Sequence, residues 1–241
     1  MTTAPEEETI LLMFSGGIDS TYLLYHYLRH TSHPVHAHHV SIRYPHLQRW
    51  RAEDPASEKI VAWCKKNLRD FEYSTSRFDL DFPRVGWDID LLLLVASKVA
   101  LNLPRQRTTL ALGWCTDDLE SPNARDRHER GVTAMVWRGL LQSVPGLDLN
   151  EEVATPILEQ GLSKADVIAK LPDELLALSW SCRGPIFEED TPRPCGAHSD
   201  RARRRCSGVV IELLCDHVCQ LNGKSPLLVR GSRLHKSQYG N

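Results

Sequence analysis

The sequence predicts an α/β protein, a parallel sheet with helices on both faces, and three observations carry that expectation. Apolar runs of strand length alternate along the chain with stretches whose apolar residues recur at helical spacing. The first run, I-L-L-M-F at 10–14, is continuously apolar, as suits a strand covered on both faces. A glycine and serine turn, S-G-G-I-D-S at 15–20, joins it directly to a stretch in which Tyr22, Leu23, Leu24, Tyr27 and Leu28 recur at helical spacing.

The remaining elements follow in order. V-H-A-H-H-V-S-I from Val35 alternates and carries β-branched residues, so it reads as a second strand. E-K-I-V-A-W-C-K-K-N-L at 58–68 is an amphipathic helix, and F-E-Y-S-T-S-R-F at 71–78 a weaker third strand. A helix at 90–103 is stopped near Pro104, and T-T-L-A-L-G-W from Thr108 is a buried strand ending at Gly113. Another helix is expected at 133–144. After a Pro-bounded entry at 154–156, Ser163 and Asp166 form a variant capping box that opens a further helix. From Ser179 to Cys206 no periodicity remains, and a loop this long inside a compact domain has a functional or metal-held reason to exist. The expected organisation is an α/β domain over 1–160 with a C-terminal segment, 161–241, packed on it. Ligands of such sheets bind at the carboxyl ends of strands, where the 15–20 turn and the loop after Gly113 both fall.

Bulk composition narrows the classes. The chain has 241 residues and a formal charge of -2, which argues against coating nucleic acid non-specifically, although R-A-R-R-R at 201–205 is a local basic cluster or a solvated helix face. The N-terminal stretch is acidic without a hydrophobic signal segment, and the apolar run from Leu91 is too short to span a bilayer; no membrane partner and a cytoplasmic location are expected. Seven cysteines in such a chain do not suggest a disulfide framework. Cys64 and Cys115 read as core residues and Cys215 and Cys219 as the buried side of a helix, whereas Cys182, Cys195 and Cys206 flank the aperiodic loop. Histidines 33, 36, 38 and 39 resemble a metal cluster, but strand geometry sends His39 to the face opposite His36 and His38. The plain reading is a strand end, near which a histidine could also meet adenine or ribose.

The turn at 15–20 is the chemically richest stretch. Gly16 and Gly17 let the backbone approach a ligand closely, while the first N–H groups of the following helix point outward unpaired. The hydroxyls of Ser15 and Ser20 add donors, and the positive end of the helix dipole favours phosphate. Asp19 would repel a phosphate, so it is expected to cap backbone N–H groups or to hold a Mg²⁺ ion. The dinucleotide fingerprint G-x-G-x-x-G is absent, and N-G-K-S-P near the C-terminus is not a Walker loop because Val218 stands where its first glycine belongs.

With S-G-G-I-D-S followed in order by T-P-I-L-E-Q-G-L-S-K-A-D-V-I, L-S-W-S-C and C-G-A-H-S-D-R-A-R-R, the chain resembles the PP-loop ATPases and, among them, the 7-cyano-7-deazaguanine synthase family of the queuosine precursor pathway. The resemblance implies an adenine-nucleotide α-hydrolase-like fold and a reaction that converts 7-carboxy-7-deazaguanine to the nitrile with ATP and ammonia. Ser15, Gly16, Gly17, Asp19 and Ser20 would then hold the pyrophosphate portion of ATP. Lys164 matches a family lysine that reaches phosphate or the reacting carboxylate; surface charge is its other reading. A carboxylate is a poor acyl donor, so its attack on the α-phosphate creates a leaving group, ammonia gives the amide, and a second activation permits dehydration. The resemblance also implies a homodimer.

Departures from the family pattern fall on metal and substrate positions. Of four family zinc ligands, Cys182 and Cys195 match, His198 stands at the third position and Arg201 at the fourth; Cys206 could complete a Cys₃His site, or the metal has been lost. S-P-N-A-R at 121–125 keeps Pro122 and Arg125 of a substrate stretch but presents Asn123 instead of a carboxylate, and W-D-I-D at 87–90 replaces an Arg-Asn pair. Asn123 and Arg125 are the expected substrate contacts, with Asp19 and Lys164 the expected catalytic pair. Three functions remain open: a ligase making the amide or nitrile, a ligase joining the activated acid to another amine on a protein or nucleic acid, and an ATP-binding regulator whose catalysis has lapsed.

Overall fold

A computed structural model describes residues 8–82, 88–103, 108–142, 153–182 and 185–193. Five parallel strands, β1 (Thr9–Met13), β2 (Val35–Arg43), β3 (Glu72–Asp79), β4 (Thr108–Ala111) and β5 (Val153–Ala154), lie in the order β3-β2-β1-β4-β5. The chain builds outward from β1 to one edge, then returns to add β4 and β5 on the other side. The crevice between the carboxyl ends of β1 and β4 is therefore the switch point of the sheet. The expected α/β fold with helices on both faces is the fold observed.

Alternation along β1 builds two cores. Ile10, Leu12 and Phe14 face α1 (Ile18–His30) and α2 (Trp50–Asn67), with Leu23, Leu24 and Ile60 fully buried between them. Leu11 and Met13 face the opposite side, where α3 (Asp88–Ala100) contributes Leu93 and Ala96. Two further helices follow β4, α4 (Pro122–Glu129) and α5 (Val132–Gln142), and α5 adds the fully buried Trp137 to that second core. Each such side chain contributes roughly 1.5–3 kcal/mol relative to exposure. Described residues between 162 and 178 add to the first core. After α6 (Pro156–Glu159), α7 (Lys164–Lys170) places Val167 against α1, and α8 (Asp173–Leu178) places Leu175 and Leu176 beside α2.

Several local outcomes refine the sequence reading. Helix α2 begins at Trp50, two turns earlier than expected, and carries Pro55 within it. Burial of Ala52 and Ala56 holds the turn that Pro55 weakens. The S-P-N-A-R stretch, given no element from sequence, leads into α4, with Pro122 in the first turn, where its missing N–H costs nothing. Within the aperiodic segment, β6 (Ile186–Glu188) and β7 (Thr191–Arg193) form a hairpin. Its turn residues Glu189 and Asp190 have φ of 48° and 66°, the geometry that two-residue hairpins favour, reached here without the usual glycine. The capping box at α7 is as expected: Ser163 Oγ accepts from Asp166 N at 3.2 Å and Ser163 N donates to the Asp166 carboxylate at 2.9 Å.

The histidine strand resolves into hydrogen-bonded ladders. His36 Nε2 and His38 Nδ1 share Ser74 Oγ at 2.6 and 2.7 Å, and His38 Nε2 meets Ser76 Oγ at 2.9 Å. Burial, then the neighbouring His36 and His39, pushes His38 down to about 4. His39 faces the other way, as alternation requires. Among the described residues no group of three or more His, Cys, Asp or Glu is arranged to hold a metal ion, and no helix is long and apolar enough to cross a membrane.

Candidate functional site

The turn after β1 is built by its own hydroxyls. Ser15 N donates to Ser20 Oγ at 3.2 Å, Gly17 N donates to Ser15 Oγ at 3.3 Å, and Ser20 Oγ donates to Gly17 O at 3.0 Å. Thr21 Oγ1 donates to the same carbonyl at 2.8 Å. Gly16 adopts φ 75°, and a Cβ there would stand 3.0 Å from Ser57 N of α2. Gly113, just past β4, is pressed equally close to α1: its Cβ would lie 3.0 Å from both Asp19 C and Ser20 N. Both glycines thus sit where backbones approach closely at the switch point, and a side chain at either would press on its neighbour.

Two supports hold this turn from outside. On the β2 side, His39 Nδ1–H donates to Phe14 O at 2.9 Å, while Nε2 meets Asp54 Oδ1 at 2.9 Å. Burial raises the Asp54 carboxyl, but hydrogen bonds from His39 and Ser41 and the charge of Arg43 outweigh it and hold it low. From the C-terminal segment, Trp180 N donates to Gly16 O at 2.9 Å and Ile18 N donates to Ser181 Oγ at 3.2 Å. Ser181 therefore occupies a leading N–H of α1.

Lys164, at the first turn of α7, pairs its Nζ with the Asp19 carboxylate, and its backbone N donates to Asp117. Burial alone would lower the lysine; Asp19 first, then the neighbouring Cys115 and Asp118, reverse this and hold it above its ordinary value, charged. Asp118 is itself fixed by Cys115 N at 3.0 Å. Burial pushes the Cys115 thiol up to about 12, so it is an inert part of the floor.

Beside the end of β2 lies a second charged group. Arg49 holds Asp88 at 2.6 Å, Tyr44 Oη donates to Asp88 Oδ1 at 3.0 Å, and burial raises the Glu53 carboxyl despite the nearby Arg49. Asp88 is the first acid of the W-D-I-D stretch; it is consumed as a partner for Arg49.

Of the residues singled out from sequence, Ser15, Gly16, Gly17, Asp19, Ser20 and Lys164 meet at the carboxyl end of β1. Asn123 and Arg125 lie exposed on α4, where Arg125 Nε donates to Leu119 O at 3.0 Å; neither joins the hydrogen bonds of the 15–20 turn. Cys182 is half-buried, with its carbonyl accepting from Trp180 Nε1 at 2.9 Å. Cys195, His198 and Cys206 lie outside the described residues. Sequence reasoning missed Asp117, Trp180, Ser181 and the His39–Asp54 pair. Trp180 and Ser181 stood in the L-S-W-S-C motif, which was read for its cysteine alone.

Fold and turn define an open, doubly wound parallel α/β protein whose glycine-bearing turn stands at the reversal of strand order. No family model and no curated protein matches the chain. Among solved structures it is similar to the U34-tRNA thiolase NcsA from Methanococcus maripaludis with its 4Fe-4S cluster, at 17% identity and a TM-score of 0.49, over 94% of this chain and 74% of that one.

Proposed function

We propose that the chain is an ATP-using ligase of the PP-loop type that activates a small-molecule carboxylate and passes it to an amine. The observation that supports this best is the cradle at 15–20: two glycines, one of them at positive φ and tight against α2, at a helix N-terminus beside a half-buried lysine that is held charged. Such a site suits phosphate chemically. ATP supplies the electrophilic phosphorus that the carboxylate oxygen attacks, with pyrophosphate as leaving group. In this reading the Ser15 and Ser20 hydroxyls and the Gly17 and Ile18 N–H groups turn from their present partners to phosphate oxygens. Lys164 balances the charge that develops there. Asp19 keeps Lys164 protonated and aligned, and is the carboxylate available to share the Mg²⁺ that accompanies ATP.

The parent reaction, by resemblance, takes 7-carboxy-7-deazaguanine and ammonia to the amide and nitrile. A second reading, transfer to an amine on a protein or nucleic acid, is favoured by one observation: Asp88 is tied to Arg49 and Tyr44 and Asn123 is exposed, so neither substituted substrate stretch presents the groups the parent substrate would use. Cys182, Cys195, His198 and Cys206 are proposed as a Cys₃His zinc set.

The test is incubation with ATP, Mg²⁺, ammonium and 7-carboxy-7-deazaguanine, following pyrophosphate and identifying all products by mass spectrometry. Carboxylate-dependent pyrophosphate release is expected. Nitrile or amide supports the parent reaction, and a conjugate with an added amine supports the second. ATP binding without pyrophosphate release for any carboxylate offered would overturn both ligase readings.

A further inference from the structure

Behind the turn, the ring of His39 is buried, only 3% exposed, and both of its nitrogens face acceptors. Nδ1 lies 2.9 Å from Phe14 O, and Nε2 lies 2.9 Å from Asp54 Oδ1. A carbonyl oxygen carries no hydrogen, so Nδ1 must donate. Asp54 is an acceptor too, because its other oxygen takes Ser41 Oγ at 2.8 Å and Arg43 Nη2 at 3.3 Å, and donors of this kind keep a carboxylate ionised against burial. A neutral imidazole has one N–H and would turn a lone pair towards one of the two oxygens, whereas the doubly protonated ring satisfies both.

The bond to Phe14 is made where the strand ladder runs out. Phe14 N still donates to His38 O at 2.8 Å, but Phe14 stands one residue past β1, and its carbonyl is met by the His39 side chain. The peptide unit from Phe14 to Ser15 is planar and trans, so its C=O and N–H point in opposite directions. His39 fixes the first of these; the second, Ser15 N–H, points into the turn, where it donates to Ser20 Oγ at 3.2 Å. Asp54 ties the ring to the part of α2 that abuts Gly16. Ser57 Oγ donates to Asp54 O at 2.7 Å, and Ser57 N is the atom a Gly16 Cβ would meet at 3.0 Å. One helical turn therefore governs both the approach to Gly16 and the aim of Ser15 N–H.

We propose that His39 is a positioning residue for phosphate: doubly protonated and held by Asp54, its ring locks the Phe14–Ser15 peptide so that Ser15 N–H joins the phosphate donors once Ser20 Oγ turns to the ligand. The assignment rests on the ATP-using reading above and deepens it. A ring with a single proton spent on Asp54 would leave Phe14 O without its donor and the peptide free to turn.

Two substitutions separate the two bonds of the ring. Asparagine carries its amide nitrogen where Nδ1 stands and glutamine where Nε2 stands, so His39→Asn keeps the bond to Phe14 and His39→Gln the bond to Asp54. ATP with Mg²⁺, titrated by calorimetry, should bind about tenfold more weakly to His39→Gln and close to wild type to His39→Asn, although urea melts should show both variants destabilised. A purely structural histidine would move affinity and stability together. Nitrogen-15 NMR of the free protein at neutral pH reads the ring directly, with the His39 signals identified by their loss in His39→Gln; both ring nitrogens should be protonated. In Asp54→Asn, Ser41 and Arg43 hold the amide oxygen and turn the amide nitrogen towards His39 Nε2. There the ring should keep its Nδ1 proton alone, and ATP affinity should persist. A single protonated nitrogen in wild type, or equal ATP affinity in His39→Gln and wild type, would overturn the assignment. The expected differences in ATP affinity, with no pyrophosphate released for any carboxylate, would sink the ligase reading and leave His39 in its positioning role.

Discussion

Lys164 Nζ closes on the carboxylate of Asp19, joining the first turn of α7 to the first turn of α1 across 145 positions of sequence, with the lysine and aspartate side chains only 17% and 22% exposed. Breaking such a pair from one side leaves a charge without its counterion in a poorly solvated place. Asp19→Asn or Lys164→Met is expected to cost about 2–3 kcal/mol in urea unfolding, below the fully buried limit because some solvent reaches both groups. The double variant should recover most of that loss. Carboxylate-dependent pyrophosphate release should nevertheless fall about 100-fold or more in all three variants, since stability and charge stabilisation are separate roles.

The glycines offer a graded comparison. Gly16→Ala combines positive φ with a Cβ 3.0 Å from Ser57 N, whereas Gly161→Ala has φ 66° but nothing within 4 Å. Gly161→Ala should cost about 1 kcal/mol, the backbone penalty alone. Gly16→Ala should cost clearly more and abolish ATP binding measured by calorimetry. Gly113→Ala, with ordinary φ but backbone atoms at 3.0 Å, should shift the α1 N-terminus and weaken ATP with a smaller loss of stability. Equal behaviour of Gly16→Ala and Gly161→Ala would show that the approach to α2 is not constraining.

His38 predicts a pH dependence. Its folded-state value, about 4, lies below that of an unfolded histidine near 6.5, so the unfolded chain binds the extra proton between these limits. Stability should therefore be full above about pH 6.5 and fall as pH drops toward 4, by on the order of 2–3 kcal/mol from this residue. Replacing it by glutamine, which can still bond Ser74 and Ser76, should make the fall between pH 6.5 and 4 shallower. Denaturant melts at half-unit pH intervals check this.

The proposed zinc set makes a compositional prediction. Protein purified without chelator should hold close to one zinc per chain, and Cys195→Ser should lose it while the β1 to β4 sheet remains folded. Metal-free wild type by elemental analysis would remove zinc from the proposal without touching the turn at 15–20.

Most of the fold was legible because its strands and helices advertise their periods. Ile10 to Phe14 reads as a covered strand, and Leu23, Leu24, Tyr27 and Leu28 cluster on one side of a helix. What escaped notice depended on tertiary support: α2 through Pro55, where burial outweighs a local breaker, and the Glu189–Asp190 turn, which lacks the glycine that marks such hairpins. At the site, residues of the turn were readable from their glycines and hydroxyls. Asp117 and Ser181 were not, because a lone carboxyl or hydroxyl has no period and acquires meaning only from what the fold sets opposite it. His39 was read correctly as facing away from His36 and His38, but Asp54, its partner, lies on a helix turn that sequence had assigned to no element.

The bonds from Trp180 to Gly16 and from Ile18 to Ser181 have a bearing on how the molecule is made. The two ends of the second bond are 163 positions apart. At a synthesis rate of 5–20 residues per second, roughly 8–30 s pass between the emergence of α1 from a ribosome and the arrival of the hydroxyl that completes its N-terminus. Through that interval the nascent chain carries the turn without its brace, so the turn is made well before it can mature.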